Sequence, residues 1–268
     1  MRRGTSGRHE RKEAKPAQST AGDRAIAPET SLRLTTPVMM TFCRFALRTT
    51  DADGARGFYA KILGHDRSAI WPLHEQALAR GARPHWLGHL GVQDAERAVA
   101  AFVDRGAVRL GPAPAEDGGQ AVVLRDPGGA VLAVTTRPRV DAEAGTGVVL
   151  HVLNTNDAAR ATVNYADLFG WGLTARVDVG AHGTFQQFAW RAGGENVGAI
   201  GDVAARPGVH PHWLFFFEVD ALDPAIAATR GAGGVVIEVT TLPSSRRVCV
   251  CDDPQGAAFG LCERPPKG

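Results

Sequence analysis

The sequence predicts an α+β fold made of two tandem copies of one unit, and three internal matches carry that prediction. Asp51…Phe58-Tyr59-Ala60-Lys61-Ile62-Leu63-Gly64 recurs 106 positions later as Asp157…Asn164-Tyr165-Ala166-Asp167-Leu168-Phe169-Gly170. Pro84-His85-Trp86-Leu87 recurs as Pro211-His212-Trp213-Leu214, 127 positions on. Asp126-Pro127-Gly128-Gly129-Ala130 recurs as Asp253-Pro254-Gln255-Gly256-Ala257 at the same spacing of 127. Ordered matches at nearly constant spacing mark a duplication. Within each copy, strand patterns alternate with a few helices, which gives helices on one face of mixed sheets.

Residues 1–40 read as a disordered basic tail. Eight Lys or Arg face four acids over residues 1–36, with no apolar periodicity. No apolar run of about 7–15 residues follows the basic start, so it is not a secretory signal. The alternative is that translation begins at Met39 or Met40 and residues 1–38 are absent from the native protein. The first copy, residues 41–138, opens with a strand over Phe42–Thr49. Asp51 then caps a helix that carries Phe58, Tyr59 and Ile62. Trp86–Val92 is the next strand, and Asp94 caps a helix running to Arg105. Strands Ala121–Leu124 and Val131–Thr135 flank the Asp-Pro-Gly-Gly turn. Residues 139–147 form a flexible linker.

The second copy, residues 148–264, repeats the order. It has strand Val148–Leu153, helix Asp157–Phe169, strand Trp213–Val219, helix Ala221–Arg230, then strands Arg247–Cys251 and Ala258–Cys262. It is also 21 residues longer between Gly170 and Pro211 than the first copy is between Gly64 and Pro84. The extra length includes Gly183–Trp190 and Asn196–Ile200, two strands around a glycine turn. The first copy has instead a helix-like stretch, Trp71 to Gly81, so it is expected to lack a hairpin.

Composition limits the function. At 268 residues and 44% hydrophobic, with four Cys, the chain is neither a disordered protein nor a disulfide-stapled scaffold. No run reaches the roughly 20 apolar residues of a membrane helix. A net charge of +2 gives no electrostatic case for nucleic acid. Four thiols without a secretion signal point to the reducing cytoplasm. No nucleophile elbow, Walker loop or dinucleotide-binding glycine fingerprint occurs. His74-Glu75 opens like a zincin helix, but Leu78 stands where the second His belongs.

The Asp-started helix ending in Phe-Tyr and Leu-Gly, together with the closing Asp-Pro-x-Gly hairpin, resembles the vicinal-oxygen-chelate superfamily. That superfamily holds glyoxalase I, bleomycin- and fosfomycin-resistance proteins and extradiol dioxygenases. The Pro-His-Trp-Leu segment resembles its two-domain "hydroxylase-like" branch. The resemblance covers residues 41–264 and implies two glyoxalase-like domains of paired βαβββ modules curled into cups, the first shortened by a hairpin. It also implies three metal-ligand positions per cup. These fall on Arg44, about Leu87 and Ala133 in the first copy, and on Leu150, about Leu214 and Gly260 in the second. None of these side chains ligates a divalent cation, so no metal and no other cofactor is expected. His151 lies one residue away, on the opposite face of its strand.

Strand alternation then picks the polar residues that share the cups. Arg44 and Arg48 suit a bidentate anion, and His89 suits proton transfer. Asn154, Gln187, His212 and Phe216 are expected ligand contacts in the second, more complete cup, with Glu218 the candidate acid–base residue. The expected function is metal-independent binding of a compact metabolite or toxic compound, an anionic one if the arginines face it. The alternative is a glyoxalase-, dioxygenase- or resistance-type enzyme using Glu218, or a metal on His89, His212 and Glu218. The expected partners are the small molecule and, through strand edges left by the missing hairpin, a second copy of the chain.

Overall fold

The computed structural model describes residues 40–64, 69–113, 121–136, 147–206 and 208–265. The basic tail and most of the linker lie outside them. In the first copy, β1 (Phe42–Thr49), α1 (Ala52–Leu63) and β2 (Ala69–Pro72) lead through a short helix α2 (Glu75–Ala79) to β3 (His85–Gly91). Then follow α3 (Ala95–Asp104), β4 (Val108–Ala113), β5 (Ala121–Arg125) and β6 (Val131–Thr135). The second copy gives β7 (Val148–Asn154), α4 (Ala158–Phe169), β8 (Gly172–Asp178), β9 (Thr184–Ala189) and β10 (Gly198–Gly201). It ends with β11 (His212–Val219), α5 (Leu222–Gly231), β12 (Val235–Thr241), β13 (Arg247–Asp252) and β14 (Ala258–Glu263).

Each copy builds one sheet. The first has six strands in the order β2-β1-β3-β6-β5-β4, and the second eight in the order β12-β13-β14-β11-β7-β10-β9-β8. Laid over one another, β2 takes the place of β10, each running parallel to the first strand of its copy. Among the described residues the first sheet does lack a hairpin, but it is β8–β9 rather than the expected strands Gly183–Trp190 and Asn196–Ile200. The reason is that β10 keeps its counterpart in β2, and Gly172–Asp178 forms the additional strand. The helix expected over Trp71–Gly81 is instead a strand through Pro72 and a five-residue helix. Trp71, a strand-favouring residue placed before Pro72, is extended and pairs with β1, so the helix is confined to Glu75–Ala79.

The helices start and stop where the sequence indicates. Asp51, Asp94 and Asp157 each accept a backbone N–H of the first turn. Gly64 and Gly170 close α1 and α4 at φ 82° and 69°, a left-handed conformation that glycine adopts without strain. The two sheets bury one face each in a shared aromatic core. Phe42 of β1 packs edge-on against Trp213 and Phe215 of β11, with ring centroids 4.9 and 5.3 Å apart. Trp86 of β3 meets Phe217 of β11 at 4.9 Å.

The recurring motifs meet in this core. Trp86 Nε1 donates to Tyr59 Oη (3.0 Å), which donates to Asp253 Oδ2 of the other copy (3.1 Å). Reciprocally, Trp213 Nε1 donates to Tyr165 Oη (3.3 Å), which donates to Asp126 Oδ2 (3.0 Å). The second carboxylate oxygen of each Asp closes its own turn by accepting Ala130 N or Ala257 N, both at 2.8 Å. Burial pushes both carboxyls up and both phenols well up. The Phe-Tyr, His-Trp and Asp-Pro-x-Gly repeats thus form two reciprocal ties between the copies.

Candidate functional site

The faces turned away from the shared core carry the candidate residues. In the second sheet, backbone register aligns Gln187, Ala199, Val152 and Leu214 in one row across β9, β10, β7 and β11. Phe185, Gly201, Asn154 and His212 form the next row, and Leu150, Phe216 and Gly260 another. Asn154, Gln187, His212 and Phe216 therefore share one face, as alternation predicts. The ends of this sheet meet: His182, in the turn between β8 and β9, bonds Glu238 of β12 at 2.6 Å. That closes the eight strands into a cup.

Its floor is apolar and occupied by its own side chains. Leu214, Phe216, Val248 and Cys262 are all buried and pack as a cluster separate from the main core. A Cβ placed on Gly260 would lie 2.2 Å from the Phe216 ring, so that ring fills the space beside the position where the resemblance puts a metal-binding carboxylate. At the rim, Asn154 Nδ2 donates to His212 Nε2 (3.2 Å), and His212 Nδ1 donates to the His210 carbonyl (2.8 Å). This bonding fixes one neutral tautomer, and burial lowers the His212 pKa in the same sense.

Glu218 is placed otherwise. Its oxygens meet Arg264 Nε at 2.9 Å and Arg246 Nη2 at 3.5 Å in a half-exposed ion-pair network with Asp220. It also stands six residues along β11 from His212, roughly 20 Å at the rise of an extended strand. His89 belongs to the other sheet. The structure therefore does not bring His89, His212 and Glu218 together. Among the described residues no group of three or more His, Cys, Asp or Glu has metal-binding geometry.

The first sheet offers a different surface. Arg44 of β1 stands opposite His89 of β3, which aligns with Ala133 of β6, so His89 rather than Leu87 lies in the row of Arg44 and Ala133. Arg48 stands opposite His85 and beside Trp71 of β2. Arg48 and His89 are buried. Trp71 Nε1 is also buried and has no hydrogen-bond partner among the described residues. No Asp or Glu occupies a residue sharing this face on β1, β2, β3, β5 or β6. Burial lowers the His85 pKa, and the Arg48 charge lowers it further. His85 and Trp71 join the expected Arg44, Arg48 and His89. Trp71 was hidden by its reading as helix, and His85 by its place in a loop-like Pro-His motif.

The positions that resemblance assigns to a metal are thus Arg44, His89 or Leu87, and Ala133 in one sheet, and Leu150, Leu214 or Phe216, and Gly260 in the other. One imidazole at most stands among either set, so neither fits a divalent cation. His151 is a core residue. Its ring stacks on Phe42 at 5.5 Å, its Nδ1 donates to the Val197 carbonyl (2.9 Å), and burial lowers its pKa to about 4.

Known proteins match this architecture. Residues 148–261 match the family model described as "Glyoxalase/Bleomycin resistance protein/Dioxygenase superfamily". Two curated relatives, each named "Putative glyoxylase CFP32", come from Mycobacterium bovis and Mycobacterium tuberculosis. Each is 28% identical over 82% of this chain and 94% of its own length. Among solved structures, a catechol 2,3-dioxygenase superposes at a TM-score of 0.55 with 14% identity, over 85% of this chain and 95% of its own. The Mn(II)-bound glyoxalase from Novosphingobium aromaticivorans superposes at 0.54 with 12% identity, over 82% and 81%. At such identities these structures speak to the fold alone. The second copy thus matches the glyoxalase/bleomycin resistance protein/dioxygenase family model, and the two-sheet chain shares the fold of these dioxygenase and glyoxalase structures.

Proposed function

We propose that this glyoxalase-like protein binds a small anionic compound, without a metal ion, against the Arg44–Arg48 face of its first sheet. The alignment of Arg44 with His89 and of Arg48 with His85 and Trp71 on one face of the first sheet carries this reading. Two arginines four residues apart on one strand, backed by an indole donor, suit a carboxylate or phosphate. The second cup was the expected binding site, but Phe216 and its neighbours pack its floor, which favours the first. The four free thiols support a reducing compartment such as the cytoplasm.

Tryptophan fluorescence tests the reading, because Trp71 neighbours Arg48 while the other four tryptophans are core residues. A library of small carboxylates and phosphates is expected to yield a ligand that changes the emission. Trp71→Phe removes that signal, and Arg48→Gln weakens binding at least about tenfold. Elemental analysis after incubation with Mn, Fe, Ni or Zn and desalting is expected to show no stoichiometric ion. A stoichiometric ion, or ligand affinity unmoved by Arg48→Gln, sinks the proposal.

A further inference from the structure

Outside both cups, a cavity of about 300 Å3 opens where α3, α4 and the turn between β5 and β6 meet. Phe102 and Ala161 give it an apolar floor, and Arg105, Arg160 and Asn164 polar walls. It opens over Gly128, where an added Cβ would lie 2.2 Å from Thr155 Oγ1.

The duplication supplies an internal control, since every lining residue has a counterpart 127 positions on or 106 positions back. Residues that tie the copies together are the same on both sides: Asp126 and Asp253, Pro127 and Pro254, Tyr165 and Tyr59, Asp157 and Asp51. Those that open and polarise the cavity are not. Arg105 corresponds to Ala232, Arg160 to Gly54, Asn164 to Phe58 and Gly128 to Gln255. Arg105 and Ala232 hold the same place at the ends of α3 and α5, with identical backbone angles of φ −94° and ψ 6°. On the counterpart side the Phe58 ring packs against Tyr59 and Phe259, at 5.0 and 5.8 Å between centroids. The structural tie therefore needs neither the guanidiniums nor the amide.

The charges at the cavity are not equally engaged. Arg105 Nη1 donates to Asp167 Oδ2 (3.2 Å) and to Asn164 Oδ1 (3.4 Å), which leaves the Asn164 amide N–H groups for another acceptor. Arg160 Nη2 donates to the Arg105 carbonyl (3.0 Å), a neutral acceptor that leaves the Arg160 charge uncompensated by that bond. Both lining carboxylates have work in the fold: Asp126 accepts Tyr165 and the turn, and Asp157 Oδ1 accepts the Arg160 backbone N–H. We infer that this cavity is a second binding site, independent of the cups, for a small oxyanion. Arg160 and the Asn164 amide hold a carboxylate or phosphate, and any apolar part rests on Phe102 and Ala161.

Isothermal titration of the full chain with benzoate, acetate and inorganic phosphate at low ionic strength tests this. At least one anion is expected to bind at one per chain. Arg160→Ala, and Asn164→Phe, which installs the counterpart's ring, each weaken binding at least about tenfold. Their thermal unfolding should stay close to that of the parent, because Gly54 and Phe58 serve in the matching places. Preference for benzoate assigns a carboxylate ligand, and preference for phosphate a phosphate. Should Asn164→Phe fail to fold, backbone amide shifts of Gly128 and Arg160 in the parent protein give the same answer. Absence of binding by all three anions, binding undiminished by Arg160→Ala, or a titration that leaves those amides unmoved overturns the inference.

Discussion

At the scale of single residues, two buried polar groups set measurable terms in stability. The phenol of Tyr165 bridges Trp213 and Asp126, and that of Tyr59 bridges Trp86 and Asp253. Tyr→Phe at either position leaves a buried indole donor and a buried carboxylate one partner short, at a cost of about 1–3 kcal/mol. Urea unfolding of the two single variants should show similar losses, because the ties are copies of one another; a neutral outcome at both would mean they hold nothing together. His151 acts through pH. Burial holds its folded-state pKa at about 4, below an ordinary imidazole's 6.5, so the unfolded chain takes up the proton first as pH falls. Its contribution is complete above pH 6.5 and is lost as pH drops from 6.5 toward 4, about 3 kcal/mol in all. His85 and His212, lowered by burial too, push the same way. Unfolding free energy should therefore decline over that window in the parent, and decline less in His151→Phe, which keeps an aromatic ring against Phe42 but cannot titrate.

At the scale of elements, the strand pattern shows both what a sequence discloses and what it withholds. Period-two alternation put Asn154, Gln187, His212 and Phe216 on one face because every residue of a strand is committed to one side. That the first copy lacks a hairpin was legible as a difference in spacing between the copies, but which strands make it up was not, because the spacing does not show that β2 replaces β10. Alternation gives the face but not the depth of packing, so the closeness of Phe216 to Gly260 and the ion pairs of Glu218 depend on contacts between strands far apart in sequence. The short strand β2 was missed because the helix-like run after Pro72 was extended back over Trp71, although the residue before a proline is biased to extended backbone. The oxyanion cavity was present as mismatches between otherwise matching motifs, Arg105, Gly128, Arg160 and Asn164 among them, a signal readable only once those motifs are known to be structural. The Phe216–Gly260 contact makes its own prediction. Gly260→Ala puts a methyl into the ring and costs about 1–3 kcal/mol, and Phe216→Leu in the same chain recovers part of the loss. Additive losses in that double-mutant cycle would show that the two residues do not touch.

At the scale of the whole molecule, the two sheets share one core rather than each closing its own. The contacts of Phe42 with Trp213 and Phe215, and of Trp86 with Phe217, cross between copies, as do both tyrosine ties. Removing either copy would bare a face of aromatic side chains that are almost wholly buried, including Trp213, Phe215 and Phe217. An exposed patch of that kind drives association. Heat or urea is therefore expected to unfold the full chain in one transition, with buried Trp86 and Trp213 reporting it together. A fragment spanning residues 147–265 contains a complete eight-stranded sheet and the whole segment matched by the family model. Produced alone, it should nonetheless bind a hydrophobic dye strongly and aggregate or self-associate. Co-expression with residues 40–136 should restore solubility by covering the aromatic face. A soluble monomeric fragment with the parent's unfolding midpoint would show instead that the copies are autonomous, and that the reciprocal ties join two finished domains rather than complete one core.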